Sequence, residues 1–379
     1  MTIERIEASV FRAPVPRPVA TSFGVMRNRP AVFVRLTDKD GAFGWGEVFA
    51  NWPSAGAEHR AHLLMEDIAD LVLGFRTDAP GALWTFLTEK THVRALQSGE
   101  WGPFAQVIAG LDTAMHDLAA RKAGVPLARM LSEGVAAYVP VYASGIHVSA
   151  AREAIQKARA EGTAAFKVKV GFDFEKDLAA LRDLAGDVRA GERLFADANQ
   201  AWDLPQALEF VKAAAGTGLG WIEEPILADR PEAEWAALAE ASAIPIAGGE
   251  NIAGDAAFTA ASASGYFSYL QPDVAKWGGV SGCFRVARQA LSAGLAYCPH
   301  FLGGGIGLCA SAHLLAAAGG PGLLEVDANP NPLRDAFFPD GAVRGGHFAL
   351  SAAAGLGIED LPEDVARYRT LALDSRTRT

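Results

Sequence analysis

The sequence predicts an α/β protein in which a (β/α)8 barrel is accompanied by a smaller α+β domain. One observation is periodic: Lys169, Asp197, Glu223, Glu250, Asp273, His300 and Glu325 end short apolar runs at separations of 28, 26, 27, 23, 27 and 25 residues. That pitch accommodates one strand, one helix and two short connections, which places each residue at a strand's C-terminal end, where such a barrel carries its chemistry. The other is length: the chain has 379 residues, against about 250 for a barrel alone.

Taken in order, the first third does not keep the rhythm. Strand-like runs at Ile3 to Phe11, Ala31 to Leu36 and Phe43 to Ala50 precede helical patterns near Glu58 to Leu73, Gly81 to Leu96 and Phe104 to Ala123. Two stretches rich in turn formers, Thr21 to Arg29 and Asn51-Trp52-Pro53-Ser54, read as loops that suit a lid. From Tyr138 the strands recur at Tyr138 to Ala143, Ala164 to Val170, Arg193 to Ala198, Gly220 to Glu223, Ile244 to Gly248, Tyr266 to Val274, Leu295 to Pro299 and Gly322 to Val326. Amphipathic segments such as Glu175 to Leu184, Pro205 to Ala215 and Pro231 to Ala241 supply crossover helices. The tail from Asn329 loses the rhythm and carries Gly341, Gly345 and Gly346. The expected domains are residues 1–128, an N-terminal capping unit; 129–328, the barrel; and 329–379, a C-terminal segment that packs back on and completes the capping unit.

The formal charge of −10, from 34 basic and 44 acidic residues, argues against a nucleic-acid partner, which requires a basic face. Cys283, Cys298 and Cys309 lack C-x-x-C spacing and fall in apolar stretches, as reduced core cysteines of a cytoplasmic protein do. The charged start, Met1-Thr2-Ile3-Glu4-Arg5, does not read as a signal peptide, and no apolar run reaches membrane-spanning length, so no membrane association is expected.

Lys167 and Lys169 lie two apart in Ala-Ala-Phe-Lys-Val-Lys-Val, so on a strand both ammonium groups face the barrel mouth. Their repulsion is expected to lower the pKa of one toward that of a useful base. Asp197, Glu223 and Glu250 end three consecutive strands, in Phe-Ala-Asp-Ala-Asn, Trp-Ile-Glu-Glu-Pro and Ala-Gly-Gly-Glu-Asn. A single strand-end acid is more often a solvated carboxylate or a helix cap. Three at barrel pitch form an all-oxygen site suited to Mg²⁺ rather than Zn²⁺. Asp273 and His300 end the next two strands, so the carboxylate is able to fix the imidazole tautomer while the other ring nitrogen faces substrate. Glu325 closes the ring, and Ser144 on the first barrel strand serves either the pocket or a turn. In the lid, Phe23, Met26 and Trp52 are apolar, whereas Arg27, Asn28 and Arg29 suit a carboxylate or hydroxyls.

Gly303-Gly304-Gly305-Ile306-Gly307 lacks G-x-G-x-x-G spacing and reads instead as a tight turn into a helix whose first amides face substrate. His59, His62, His92, His116, His147, His313 and His347 show no ligand spacing and read as structural or solvated.

Together, Lys-x-Lys, Asp-x-Asn, Glu-Glu-Pro, Gly-Gly-Glu and the Pro-Asp…Lys-x-Gly-Gly…His series resemble the enolase superfamily, in its mandelate racemase branch. Leu111-Asp112-x-Ala114-x-x-Asp117 with Gly124-x-Pro126-Leu127 resembles that family's N-terminal signature, so the resemblance runs through the whole chain. It implies the modified, enolase-type barrel and Mg²⁺ on Asp197, Glu223 and Glu250. Lys169 would be the base on one face of a small carboxylate substrate and the Asp273/His300 pair the base or acid on the other. Lys167 and Asn199 would contact the substrate carboxylate, Glu325 would donate a hydrogen bond to it, and Glu224 would stand behind the metal site. Lys276 is not read as the lysine base of the muconate-lactonising branch, because Asp273 holds that place. A homo-oligomer is the corresponding expectation for assembly.

Such a ring stabilises the enediolate left when a proton α to a carboxylate is removed. If His300 protonates a β-hydroxyl, water leaves and a 2-keto acid forms; if it returns the proton to the α carbon, the epimer forms. The resemblance makes dehydration of a sugar acid or other hydroxy acid the first expectation. Racemisation or epimerisation of a hydroxy or amino acid, and dehydration of a hydroxylated cyclic amino acid, stand as alternatives. A catalytically silent metal-binding barrel is the rival from another class, and a metal-dependent hydrolase is disfavoured by the single strand-end histidine.

Overall fold

The computed structural model describes residues 1–21 and 24–377. Its capping sheet has the order β13-β1-β2-β3, built from β1 (Ile3–Thr21), β2 (Gly24–Asp38), β3 (Phe43–Val48) and the last strand, β13 (Arg369–Arg376). The C-terminal tail reaches it there, pairing antiparallel with β1 from Arg5↔Arg376 to Phe11↔Arg369. β1 and β2 form a long hairpin that continues to Thr21↔Gly24. The stretch read as a loop from Thr21 to Arg29 is therefore mostly paired strand, because ladder hydrogen bonds with β1 satisfy its backbone despite the turn-forming side chains.

Helix α1 (Gly56–Leu63) leads through a π-helical turn into α2 (Ala69–Val72), followed by α3 (Gly81–Ser98) and α4 (Trp101–Ala123). Helix α4 lies so close to β3 that a Cβ at Gly44 or Gly46 would overlap the α4 backbone at Ala114 and Gly110. This is why a strand otherwise rich in large residues carries two glycines. Short α5 (Leu127–Leu131) leads to the barrel.

The barrel strands are β4 (Tyr138–His147), β5 (Ala165–Lys169), β6 (Arg193–Asp197), β7 (Ile222–Glu223), β8 (Ile246–Gly248), β9 (Tyr269–Leu270), β10 (Ala296–Tyr297) and β11 (Leu324–Asp327). They run parallel in the order β10-β9-β8-β7-β6-β5-β4-β11. Helices α6 (Ala151–Ala160), α7 (Phe174–Gly186), α8 (Leu204–Ala213), α9 (Glu232–Ala241), α10 (Asp255–Ala263), α11 (Gly279–Ser292) and α12 (Gly305–Ala318) connect them. β11 is followed instead by the short α13 (Pro332–Asp335), so the barrel is modified at its eighth unit. At the seam between β10 and β11 no strand ladder forms among the described residues. There the Leu323 N–H donates to the Cys298 sulfur at 3.4 Å. In the tail, β12 (His347–Ala349) pairs with barrel strand β4, so this segment serves both units before β13 rejoins the cap.

Candidate active site

Strand alternation decides which residues meet inside the barrel. On β5, Phe166 and Val168 join the outer core, while Ala165 points inward together with Lys167 and Lys169. Tyr142, Phe195, Trp221, Ala247, Cys298 and Leu323 fill the same interior layer as Ala165. Trp221 stacks on Phe195 at 3.5 Å between centroids and 6° between planes. This apolar floor carries the polar ring above it, with the Lys167 ammonium 5.4 Å from the Tyr142 ring centre.

All seven strand-end residues named from the sequence converge on this ring. Lys167 is 1% exposed and lies 2.5 Å from Glu223, 2.8 Å from Glu325 and 3.5 Å from Asp197. Lys169 donates to Asp197 at 2.7 Å and to Asn199 at 2.5 Å. The His300 ring spans two carboxylates, with Nδ1 2.7 Å from Asp273 and Nε2 2.8 Å from Glu250. Four strands, β6 to β9, separate Lys169 on β5 from His300 just after β10.

This pairing changes the expected electrostatics. Burial, the largest single influence, would lower the Lys169 ammonium, and Lys167 pulls the same way, but Asp197 and Glu250 together outweigh them and raise it. The depression expected from the two neighbouring lysines is therefore absent, because a carboxylate stands closer to Lys169 than the second ammonium's repulsion can offset. Burial likewise opposes the charge on His300, yet Glu250, Glu325 and Asp273 raise it well above the usual histidine value. Burial pushes Glu223 up to about 7 despite Lys167. Glu325 would also rise on burial, but Lys167 and His300 hold it below the usual carboxylate range. It accepts from the Ser144 hydroxyl, from the Phe301 N–H at 3.0 Å and from Lys167. In this arrangement Glu325 is an acceptor, so the donation expected of it requires its prior protonation.

The remaining assigned residues divide. Asn199, at φ 45°, lies over Lys169 and Asp197. Ser144 is fully buried against Glu325 rather than open to the pocket. The Trp52 ring lies against Gly24 at the end of the hairpin, where a Cβ would come within 2.5 Å of it. Arg27 is exposed on β2, and Phe23 falls outside the described residues. Arg29 pairs with buried Asp327 at 2.5 Å and is thus occupied in joining β2 to β11. The amides of Gly304 and Gly307 do not face substrate as expected, because the Glu47 carboxylate accepts from both.

Gln271 and Asn251 escaped the sequence reading: Gln271 donates to Glu223 at 2.7 Å and Asn251 donates to Glu224 at 2.8 Å. Lys276, set aside as a base, reaches Asn251 at 2.8 Å and Glu250 at 3.6 Å. Gln271 sits two residues before Asp273, and strand alternation was the signal that would have aimed it inward.

With every acid ionised, Asp197, Glu223, Glu224, Glu250, Asp273 and Glu325 would contribute six negative charges against four positive ones from Lys167, Lys169, Lys276 and a charged His300, an imbalance met here by burial raising Glu223 to about 7 and by burial and Glu250 raising Glu224 well above the usual carboxylate range. Fully ionised, the set is two positive charges short. Each of the three strand-end acids is turned to a different protein cation, and no three His, Cys, Asp or Glu side chains among the described residues converge as a metal cluster.

Residues 5–132 match the model of the mandelate racemase / muconate lactonizing enzyme N-terminal domain, and residues 149–365 match that of the enolase C-terminal domain-like family. The chain belongs to this family. It is an enzyme of the enolase superfamily, and its fold is that of a solved structure described as mandelate racemase/muconate lactonizing enzyme from Bordetella bronchiseptica RB50. That chain is 48% identical at a TM-score of 0.89, over 95% of this chain and 97% of the other. A D-galactarolactone cycloisomerase of Agrobacterium fabrum is 26% identical over 97% of this chain and 99% of its own length. L-Talarate dehydratase from Polaromonas sp. JS666, solved with Mg and L-glucarate, is 25% identical at a TM-score of 0.84 and covers 100% of both chains.

Proposed function

We propose that this enzyme removes the proton α to the carboxylate of a hydroxylated acid, through an enediolate, and expels a β-hydroxyl as water to leave a 2-keto acid. The observation that carries this reading is the placement of two proton-transfer groups at separate points of one buried ring, Lys169 at the end of β5 and His300 just after β10, with His300 held at Nδ1 by Asp273. An imidazolium is the acid that departure of a hydroxyl requires. Asp197 is what keeps Lys169 charged in this arrangement, so Lys169 acts as a neutral amine only when released from it, and then takes the α proton; His300 gives its own to the β-hydroxyl; the enol released then tautomerises to the keto acid. Asp273 keeps the imidazole in one tautomer throughout.

The donor set fits Mg²⁺. Its acids are all oxygen donors on adjacent strands, and with those acids ionised the ring is short by the charge of one divalent cation. Asp197, Glu223 and Glu250 would hold the ion, and when bound it supplies positive charge to the developing dianion. Lys169 and Nε2 of His300, engaged here by Asp197 and Glu250, are then available to substrate. The magnesium- and glucarate-bound dehydratase supports both the ion and the substrate class.

Racemisation or epimerisation is the second reading, favoured by the presence of proton-transfer groups at two separate places on the rim. The cycloisomerase relative supports an isomerase outcome in the same way.

The test incubates the enzyme with mono- and diacid sugars and with hydroxy and amino acids in ²H₂O, with Mg²⁺ or with EDTA. The expected result is Mg²⁺-dependent 2-keto acid formation from one stereochemical class. Deuterium uptake without loss of water would favour the isomerase, and neither change with any acid would leave a silent barrel.

A further inference from the structure

One segment of the capping domain touches both loops that carry the Asp273–His300 pair. Glu47, Phe49 and Asn51 alternate along the chain from the end of β3. Glu47 accepts from Gly304 N–H at 2.5 Å and from Gly307 N–H at 2.8 Å. The Phe49 N–H donates to the Ala275 carbonyl at 3.3 Å, two residues after Asp273. The Asn51 amide donates to the Leu302 carbonyl at 2.7 Å, two residues after His300.

The loop after His300 is tied at every step. Phe301 N–H goes to Glu325, Leu302 C=O to Asn51, Gly303 C=O to Asn331 and Gly304 N–H to Glu47. Two of these four ties come from the capping domain. Glu47 is 4% exposed, and its carboxylate meets the orphan N–H groups and positive end of α12. A Cβ at Gly303 would meet the Phe301 ring at 2.4 Å and Glu47 Oε1 at 2.7 Å, and one at Gly304 the Phe33 ring at 2.7 Å and Glu47 Oε1 at 3.0 Å, so the glycine run admits both the rings and the carboxylate. Asp112 makes a parallel tie, accepting from Ser281 N–H at 2.8 Å and Ser281 Oγ at 2.7 Å in the first turn of α11, the helix after Asp273.

We propose that the Glu47–Asn51 segment is a positioning element for the Asp273–His300 pair, with Glu47 its anchor on the His300 side. The catalytic part of this inference rests on the proposed function. Glu47 touches no reacting atom. It fixes the backbone from which His300 projects, so docking of the capping domain and orientation of the imidazole are one event.

The test is Glu47→Gln, which keeps the size but sets an NH₂ against one of the two N–H donors, together with Asn51→Ala, which frees only the Leu302 carbonyl. Hydrogen exchange of the Phe301 and Gly304 amides is expected to accelerate in Glu47→Gln, and the His300–Asp273 ring N–H proton signal is expected to shift or broaden. Formation of the 2-keto acid, which needs the proton from His300, should fall about tenfold to a hundredfold, as for a small misplacement of a catalytic group. Exchange through Lys169 should stay near that of the parent, and Asn51→Ala should show the same asymmetry at smaller amplitude. Equal loss through both groups, or no loss through either, overturns the proposal. If the parent exchanges no acid at all, the proposed function fails, and the amide protection and ring N–H signal decide positioning alone: unchanged signals in Glu47→Gln overturn it.

Discussion

Lys167→Met tests how the buried ring is held together. Lys167 is 1% exposed and touches carboxylates on three strands, Glu223 at 2.5 Å, Glu325 at 2.8 Å and Asp197 at 3.5 Å, each no more than 2% exposed. Met keeps the chain length and most of the packing over Tyr142 but removes the charge. Removing one partner of a buried ion pair costs about 3–5 kcal/mol, and with three carboxylates left the loss should lie at the upper end, about 5 kcal/mol. The assay is urea unfolding followed by tryptophan fluorescence at pH 8 in EDTA, since Trp221 lies directly beneath the ring. Mg²⁺ should stabilise the variant more than the parent, because a divalent cation replaces the missing charge. A loss within about 1 kcal/mol, the range of an exposed pair, or an equal Mg²⁺ effect on both proteins, would refute this account of the ring.

Asp273→Asn should cut turnover by about 10²–10⁴ while leaving KM nearly unchanged, because the amide is able to donate to Nδ1 and stabilise the wrong tautomer; steady-state kinetics with an unaltered kcat would contradict this. His313 gives a pH prediction. Burial holds its imidazole down from 6.5 to about 4, and neutral Nδ1 accepts the Ala128 N–H at 3.1 Å. Between these values the unfolded chain binds the extra proton, so the stability from this group is complete above pH 6.5 and is lost as pH falls toward 4, a change of about 3 kcal/mol. His313→Gln should flatten the slope of urea stability across that window, and identical slopes in variant and parent would contradict the assignment.

The ring was legible because its residues repeat at βα pitch and strand alternation aims them inward. The fixed period carries Lys167, Lys169, Asp197, Glu223, Glu250, Asp273, His300 and Glu325 to one place without knowledge of any loop. The pairing inside the ring was not legible. Two lysines two residues apart on one strand suggested mutual repulsion, but β5 lies beside β6, and Asp197 acts on Lys169 more strongly than Lys167 does. The stretch from Thr21 to Arg29 was misread as a loop because its turn-forming residues carried no sign that β1 would pair with it. Arg29 and Glu47 looked respectively like a substrate contact and an ordinary strand residue. Their partners, Asp327 and the Gly304 and Gly307 amides, lie 298, 257 and 260 residues away, and no local pattern encodes such contacts.

The central claim is that Lys169 and His300 act from separate sides of one carbon acid. It is tested most directly by deuterium incorporation at the α carbon of a turned-over acid, with each stereoisomer supplied separately to the parent, Lys169→Ala and His300→Asn. The account predicts that Lys169→Ala abolishes incorporation from one stereoisomer and still binds Mg²⁺, and that His300→Asn stops net turnover while incorporation through Lys169 persists. Incorporation from both stereoisomers in Lys169→Ala, or unaltered turnover in His300→Asn, would contradict it.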